Sequence, residues 1–97
     1  YIVFPLTNVT NKATFQLQEA GNLDPSQTTF LECHGTGTRV GDPTEIKAAG
    51  NVFGPSRAFE QNDQLVVGSV KTNLGHLEGA CALPGILKVV AALEQGE

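Results

Sequence analysis

Two histidines stand in the 97-residue chain, His34 and His76. His34 opens the loop of ECHGTGTRVGDP, and His76 closes the polar stretch of KTNLGHLEGA. A neutral imidazole carries one N–H donor and one acceptor, and it changes charge near neutral pH. Two such N–H groups aimed at one oxygen would stabilise negative charge developing there, as the donors of an oxyanion hole do. Gly35, Gly37 and Gly41 follow His34, interleaved with Thr36 and Thr38. Glycines let a backbone approach a thin ligand, and threonine hydroxyls supply donors and acceptors to hold it. Lys71 lies five residues before His76. A cation there would tune the charge state of the imidazoles.

Other chemistries fit less well. His76-x-Glu78 echoes a zinc-deaminase signature, but the paired-cysteine half is missing. GTGTRVG lacks the Gly-Lys-Ser/Thr ending of a P-loop and the spacing of a dinucleotide loop. A metal site from Cys33, His34 and His76 is disfavoured, because Cys33 and His34 are adjacent and strand neighbours point to opposite faces. No metal is therefore expected. The same adjacency argues against Cys33 as a nucleophile. Cys33 and Cys81 both read as small buried hydrophobes.

The elements that must position these residues follow from pattern. Residues 1–4 suggest a strand stopped by Pro5, and residues 11–20 a short helix stopped by Gly21-Asn22. Leu23-Asp24-Pro25-Ser26 is a turn signal. TTFLEC, residues 28–33, reads as a strand. Asp42 then resembles an N-cap, with Pro43 at the first helical position and Glu45 completing a capping box. Ile46, Ala49 and Phe53 mark that helix's inward face, and Gly54-Pro55 ends it. LVVGSV, residues 65–70, reads as a buried strand. Residues 71–76 read as a polar loop. A second helix is expected over 78–94, with Leu83, Ile86, Leu87, Val90 and Leu93 on one core-facing stripe. The order is strand, histidine loop, helix, given twice. If the two strands are parallel neighbours, both imidazoles reach one site, because ligands bind where loops leave the carboxyl ends of such strands.

Composition sets limits. Hydrophobic content of 40% and a net charge of −4 are those of an ordinary soluble globular chain, and the order of strands and helices gives the class α/β. Six basic residues form no stripe for nucleic acid. No apolar run approaches a membrane span, and two cysteines outside any metal spacing suit a reducing, cytoplasmic setting. The absence of Met suggests a piece of a longer protein.

CHGTGTRVGDPTE followed by VGSVKTNLGHLEGA resembles the C-terminal half of β-ketoacyl synthase (ketosynthase) domains of the thiolase-like superfamily. The spelling is closer to type I polyketide synthases than to stand-alone fatty-acid enzymes, where a KSxTGH-type stretch is usual. The likeness is strong over 24–97 and weak over 1–20, so the whole of 1–97 is read as a partial ketosynthase domain. It implies part of a thiolase-like fold layered α-β-α-β-α. It also implies a decarboxylative Claisen condensation of an acyl thioester with a malonyl-type extender. His34, His76 and Lys71 match the catalytic positions. Thr36 and Thr38, with Gly35 and Gly37, match the contacts to the phosphopantetheine arm of an acyl carrier protein. Glu78 and Asn73 match supporting positions. No cofactor is bound directly; the pantetheine arm is a substrate carrier. The family's nucleophilic cysteine belongs to a TACSS-type motif that this sequence lacks, so the segment alone is expected to be inactive. A homodimer of the full domain is implied. The alternatives are a decarboxylase-only relative and a non-catalytic segment that binds the carrier protein. Cys33 replaces a usual Ala, and Pro84 a usual helix former; Pro84 would kink the second helix or move its start toward Leu83.

Overall fold

Three short apolar runs pair into a parallel sheet, and the two histidine loops leave the same end of its neighbouring strands. The computed structural model describes residues 2–3, 21–55, 57 and 64–96. Strands β1 (Ile2–Val3), β2 (Phe30–Glu32) and β3 (Val66–Gly68) lie in the order β1-β2-β3, all parallel. Phe30 pairs with Val66, Leu31 with Val67 and Glu32 with Gly68. The N–H of Cys33 extends the ladder to the Gly68 carbonyl at 2.6 Å. The helix expected over 11–20 lies outside the described residues.

Helix α1 (Gly41–Phe53) follows the first histidine loop. A single helical turn, α2 (Lys71–Leu74), stands where a polar loop is expected, and α3 (Leu83–Gln95) closes the order. Residues Pro25–Gln27 and Glu78–Ala80 form 3-10 turns. The first matches the turn signal at Asp24, whose Oδ1 accepts the Ser26 N–H at 2.9 Å. The helix expected from residue 78 starts instead at Leu83. Pro84 sits in its first turn, where a missing N–H costs no helical hydrogen bond.

Alternation along β2 divides the packing. Leu31 and Cys33 meet Ala49, Val52 and Phe53 of α1, with Leu65 packed against them. Phe53 is 1% exposed; truncating such a side chain to Ala costs about 3–5 kcal/mol. Glu32, on the opposite face, receives Lys88 of α3 at 2.8 Å, and the same ammonium lies 4.7 Å from the centre of the Phe30 ring. Elements on both faces are what a parallel sheet requires.

Several expectations about burial fail. Ile46 is 51% exposed, and Ala48 takes the inward place beside Ala49. Val66 and Val67 of β3 are exposed rather than buried. The stripe Leu83, Ile86, Leu87, Val90, Leu93 is exposed along α3, where Gly85 and Val89 are the buried residues. The buried residues of α3, Gly85 and Val89, lie on a different face of the helix from the apolar stripe. Among the described residues no helix is long and apolar enough to cross a membrane.

The two loops touch at one glycine. Gly35 has φ +47°, and a Cβ placed there would lie 2.6 Å from Ser69 Cβ. Gly37 has φ +78°, but a Cβ there would meet nothing within 4 Å. Gly37→Ala therefore carries only the left-handed backbone penalty, about 1–2 kcal/mol. Gly35→Ala adds overpacking of about 1–3 kcal/mol. Urea denaturation of the two variants should rank Gly35→Ala as the more destabilised; equal losses would mean that Ser69 yields freely.

Candidate active site

The site is built by carboxylates that hold loop backbone. Glu45 lies one turn into α1 and accepts two loop N–H groups: His34 to Oε1 at 2.6 Å and Gly35 to Oε2 at 2.9 Å. Asp42 Oδ1 accepts the Gly37 N–H at 3.1 Å. Residues 34–37 thus hang from the first turns of the helix that follows them. Hydrogen bonds to an ionised acceptor are about twice as strong as neutral ones. The capping box expected of Asp42 and Glu45 is not formed. The position before α1 is Val40, with helical dihedrals and no side-chain cap. Both carboxylates turn back to the loop instead, because its free N–H groups compete for them.

The second loop is held from the sheet. Glu32 is 3% exposed; its Oε1 accepts the Val70 N–H at 2.6 Å and its Oε2 the Lys88 ammonium at 2.8 Å. A buried carboxylate is tolerated only with such partners. Ser69 Oγ donates to the His34 carbonyl at 3.3 Å. Parallel β2 and β3 therefore deliver both loops to one place.

The imidazoles of His34 and His76 lie with centroids 5.4 Å apart, edge to face at 86°. His76 Nδ1 accepts the backbone N–H of Glu78 at 2.8 Å. An accepting Nδ1 carries no proton, so the neutral ring presents its N–H from Nε2. Glu78 makes this contact through its backbone, at φ +45°, and its side chain is exposed. Burial, and then the positive charge of Lys71, hold the His34 pKa below its ordinary 6.5, so this ring too is neutral at pH 7.

The remaining residues singled out in the sequence divide by task. Thr36 joins His34, Val40, Gly41, Asp42, Thr44 and Glu45 around a pocket of about 260 Å³. Thr38 is exposed, and its Oγ1 accepts the Gly41 N–H at 3.0 Å. A Cβ on Gly41 would collide with that hydroxyl. The space at Gly35 and Gly41 is thus taken by the chain's own side chains, while Gly37 faces open space. Asn73 is exposed and accepts from the Thr72 hydroxyl at 3.2 Å. Cys33 is buried in the core, and burial together with Glu45 and Glu32 pushes its thiol up to about 12. It is no nucleophile at neutral pH. Sequence reasoning missed Glu45 and Glu32 as site residues. Glu45 was legible only as a helix signal, and Glu32 only as a polar interruption in a strand.

Comparison with known proteins identifies the family. The family described as beta-ketoacyl synthase, C-terminal domain, matches residues 5–97. The chain is 98% identical over 80 residues to the highly reducing polyketide synthase xilA of Penicillium rubens, covering 82% of the chain and 3% of that protein. It is 61% identical over 79 residues to prosolanapyrone synthase of Alternaria solani, covering 81% and 3%. It is 47% identical over 96 residues to the hybrid PKS-NRPS synthetase pynA of Aspergillus niger, covering 99% and 2%. No solved structure matches. The chain therefore spans a few per cent of the length of these relatives, and over that span it belongs to the β-ketoacyl synthase C-terminal domain family.

Proposed function

We propose that this chain is the two-histidine half of a polyketide synthase ketosynthase, an acyltransferase that forms carbon–carbon bonds within a thiolase-like, α-β-α-β-α domain. The observation that carries the reading is the pairing of two imidazoles on adjacent loops of one parallel sheet. A cysteine outside this chain holds the growing acyl group as a thioester. A malonyl-type thioester on the pantetheine arm of an acyl carrier protein loses carbon dioxide, and the electrons of the broken bond form an enolate. Charge collects on the thioester oxygen, where Nε2–H of His76 and the N–H of His34 donate to it. The enolate carbon then attacks the acyl carbonyl, and the cysteine thiolate leaves.

Other residues act by position. Thr36 lines the pocket beside His34 and contacts the arm, with Thr38, Gly35 and Gly37 shaping its approach. Lys71 adds to burial in holding the His34 pKa below its ordinary value. Asn73 and the backbone of Glu78 support the second loop. The exposed stripe of α3 and the exposed β3 valines are covered by the remainder of the ketosynthase, which works as a homodimer in the cytoplasm and binds no cofactor of its own. Acyl carrier protein, acyl thioesters and malonyl-type thioesters are its partners.

The direct test uses an intact ketosynthase carrying this segment. His76→Ala should lower malonyl decarboxylation about 10²–10³-fold, while acylation of the nucleophile, read by mass spectrometry, continues. Equal loss of both steps would refute the assigned role. Glu78→Gln should leave decarboxylation within about twofold, since its contact to His76 is made by backbone N–H.

Proton linkage gives a further check. A depressed His34 pKa keeps the ring neutral down to below pH 6.5, so the acid limb of the decarboxylation profile lies below that value. Lys71→Met removes one of the two main causes of the depression and should move the limb upward. A limb that stays in place would show that Lys71 does not set the charge of His34.

A further inference from the structure

Cys81 ends the 3-10 turn Glu78–Ala80, is half-buried and is a free thiol. The condensing chemistry assigns it no task. Its Sγ, one nitrogen of His34 and one nitrogen of His76 all lie within 4.8 Å of one another. We propose that His34, His76 and Cys81 form a three-ligand site for a thiophilic divalent cation of the zinc class, and that the bound metal shuts off the two-histidine centre.

The donor set supports this identity. Two imidazoles and one thiolate suit zinc and exclude magnesium and calcium, which take oxygen ligands. Three protein ligands leave the fourth tetrahedral position open to water or an incoming thioester. Zinc–nitrogen bonds of about 2.0–2.1 Å and a zinc–sulfur bond of about 2.3 Å require donors somewhat closer than 4.8 Å. That contraction needs only side-chain rotation, because His76 is exposed and the other two groups are half-buried. The rings stand edge to face rather than stacked, and the contact that holds His76 is the Glu78 N–H on its Nδ1.

Metal uptake balances simply. Cys81 releases one proton and binds as the thiolate; each imidazole binds through an unprotonated nitrogen. At His76 the metal takes Nδ1 and displaces the Glu78 N–H, or takes Nε2 after the ring proton moves to Nδ1. The second route removes the Nε2–H donor; the first swings the ring away from its present orientation. Either way metal and enolate are mutually exclusive at this ring. The inference rests on the donor geometry, and spectroscopy reads it without turnover, so it stands or falls separately from the condensing role.

The test titrates Co²⁺ into metal-free, intact ketosynthase carrying this segment. The expected result is the visible spectrum of tetrahedral cobalt with a thiolate charge-transfer band, at one equivalent per site, bleached by Zn²⁺ and unaffected by excess Mg²⁺. In Cys81→Ser the charge-transfer band should vanish. In the same variant, the Zn²⁺ concentration that halves malonyl decarboxylation, each protein measured against its own metal-free rate, should rise at least tenfold. Cys81→Ala serves as a second variant, and circular dichroism verifies that each is folded. No tetrahedral spectrum in the unsubstituted protein, or a charge-transfer band that survives in both folded variants, would overturn the proposal.

Discussion

The Glu45 carboxylate accepts two consecutive backbone N–H groups, those of His34 and Gly35, and so fixes where the first imidazole begins. The loop has little else to hold it. Its glycines at 35 and 37 occupy left-handed dihedrals, which carry an entropic cost on folding. An ionised acceptor reaching across ten residues offsets that cost, and Asp42 adds a third N–H from the same helical turn. The helix is therefore less a packing element than a clamp. Its inner face, centred on Phe53, anchors it to β2 so that the clamp has a fixed base.

Glu32 performs the corresponding task for the second loop from inside the sheet. One oxygen holds Val70 and the other holds Lys88, which also covers Phe30. The Lys88 side chain is 37% exposed, so solvent screens the pair and its own contribution is at most about 1 kcal/mol. The two clamps meet where Gly35 passes Ser69, a contact that leaves no room for a side chain. Their combined product is a pair of imidazoles with ring centres 5.4 Å apart. The same positioning brings Cys81 within reach, so the paired imidazoles and a thiol together offer a soft donor set.

Much of this was legible in the residues. The β-branched runs and turn signals located β2, β3, α1 and the body of α3, and the repeated order of strand, loop and helix placed both histidines at one sheet end. Pro84 signalled either a kink or a later helix start, and the structure takes the later start at Leu83. What failed was long-range. Glu45 satisfies a local capping pattern, yet its partners lie ten and eleven residues upstream, and local spacing cannot report that competition. Lys71 begins a helical turn because the Lys71 carbonyl accepts the Gly75 N–H, an arrangement permitted by the positive φ of that glycine. The apolar stripe of α3 was read correctly as a stripe and wrongly as buried, since periodicity shows that a face is apolar but not what covers it.

The central claim is that two carboxylates, rather than turn geometry, hold the histidine loops. Site-resolved amide hydrogen exchange tests it directly, in an intact ketosynthase carrying this segment. The amides of His34, Gly35 and Val70 should exchange far more slowly than the Gly79 amide of the turn that follows the second loop. Protection at 34 and 35 should vanish in Glu45→Ala while Val70 stays protected by Glu32. Rapid exchange at all three positions in the unsubstituted protein, or protection that survives the loss of Glu45, would contradict the account.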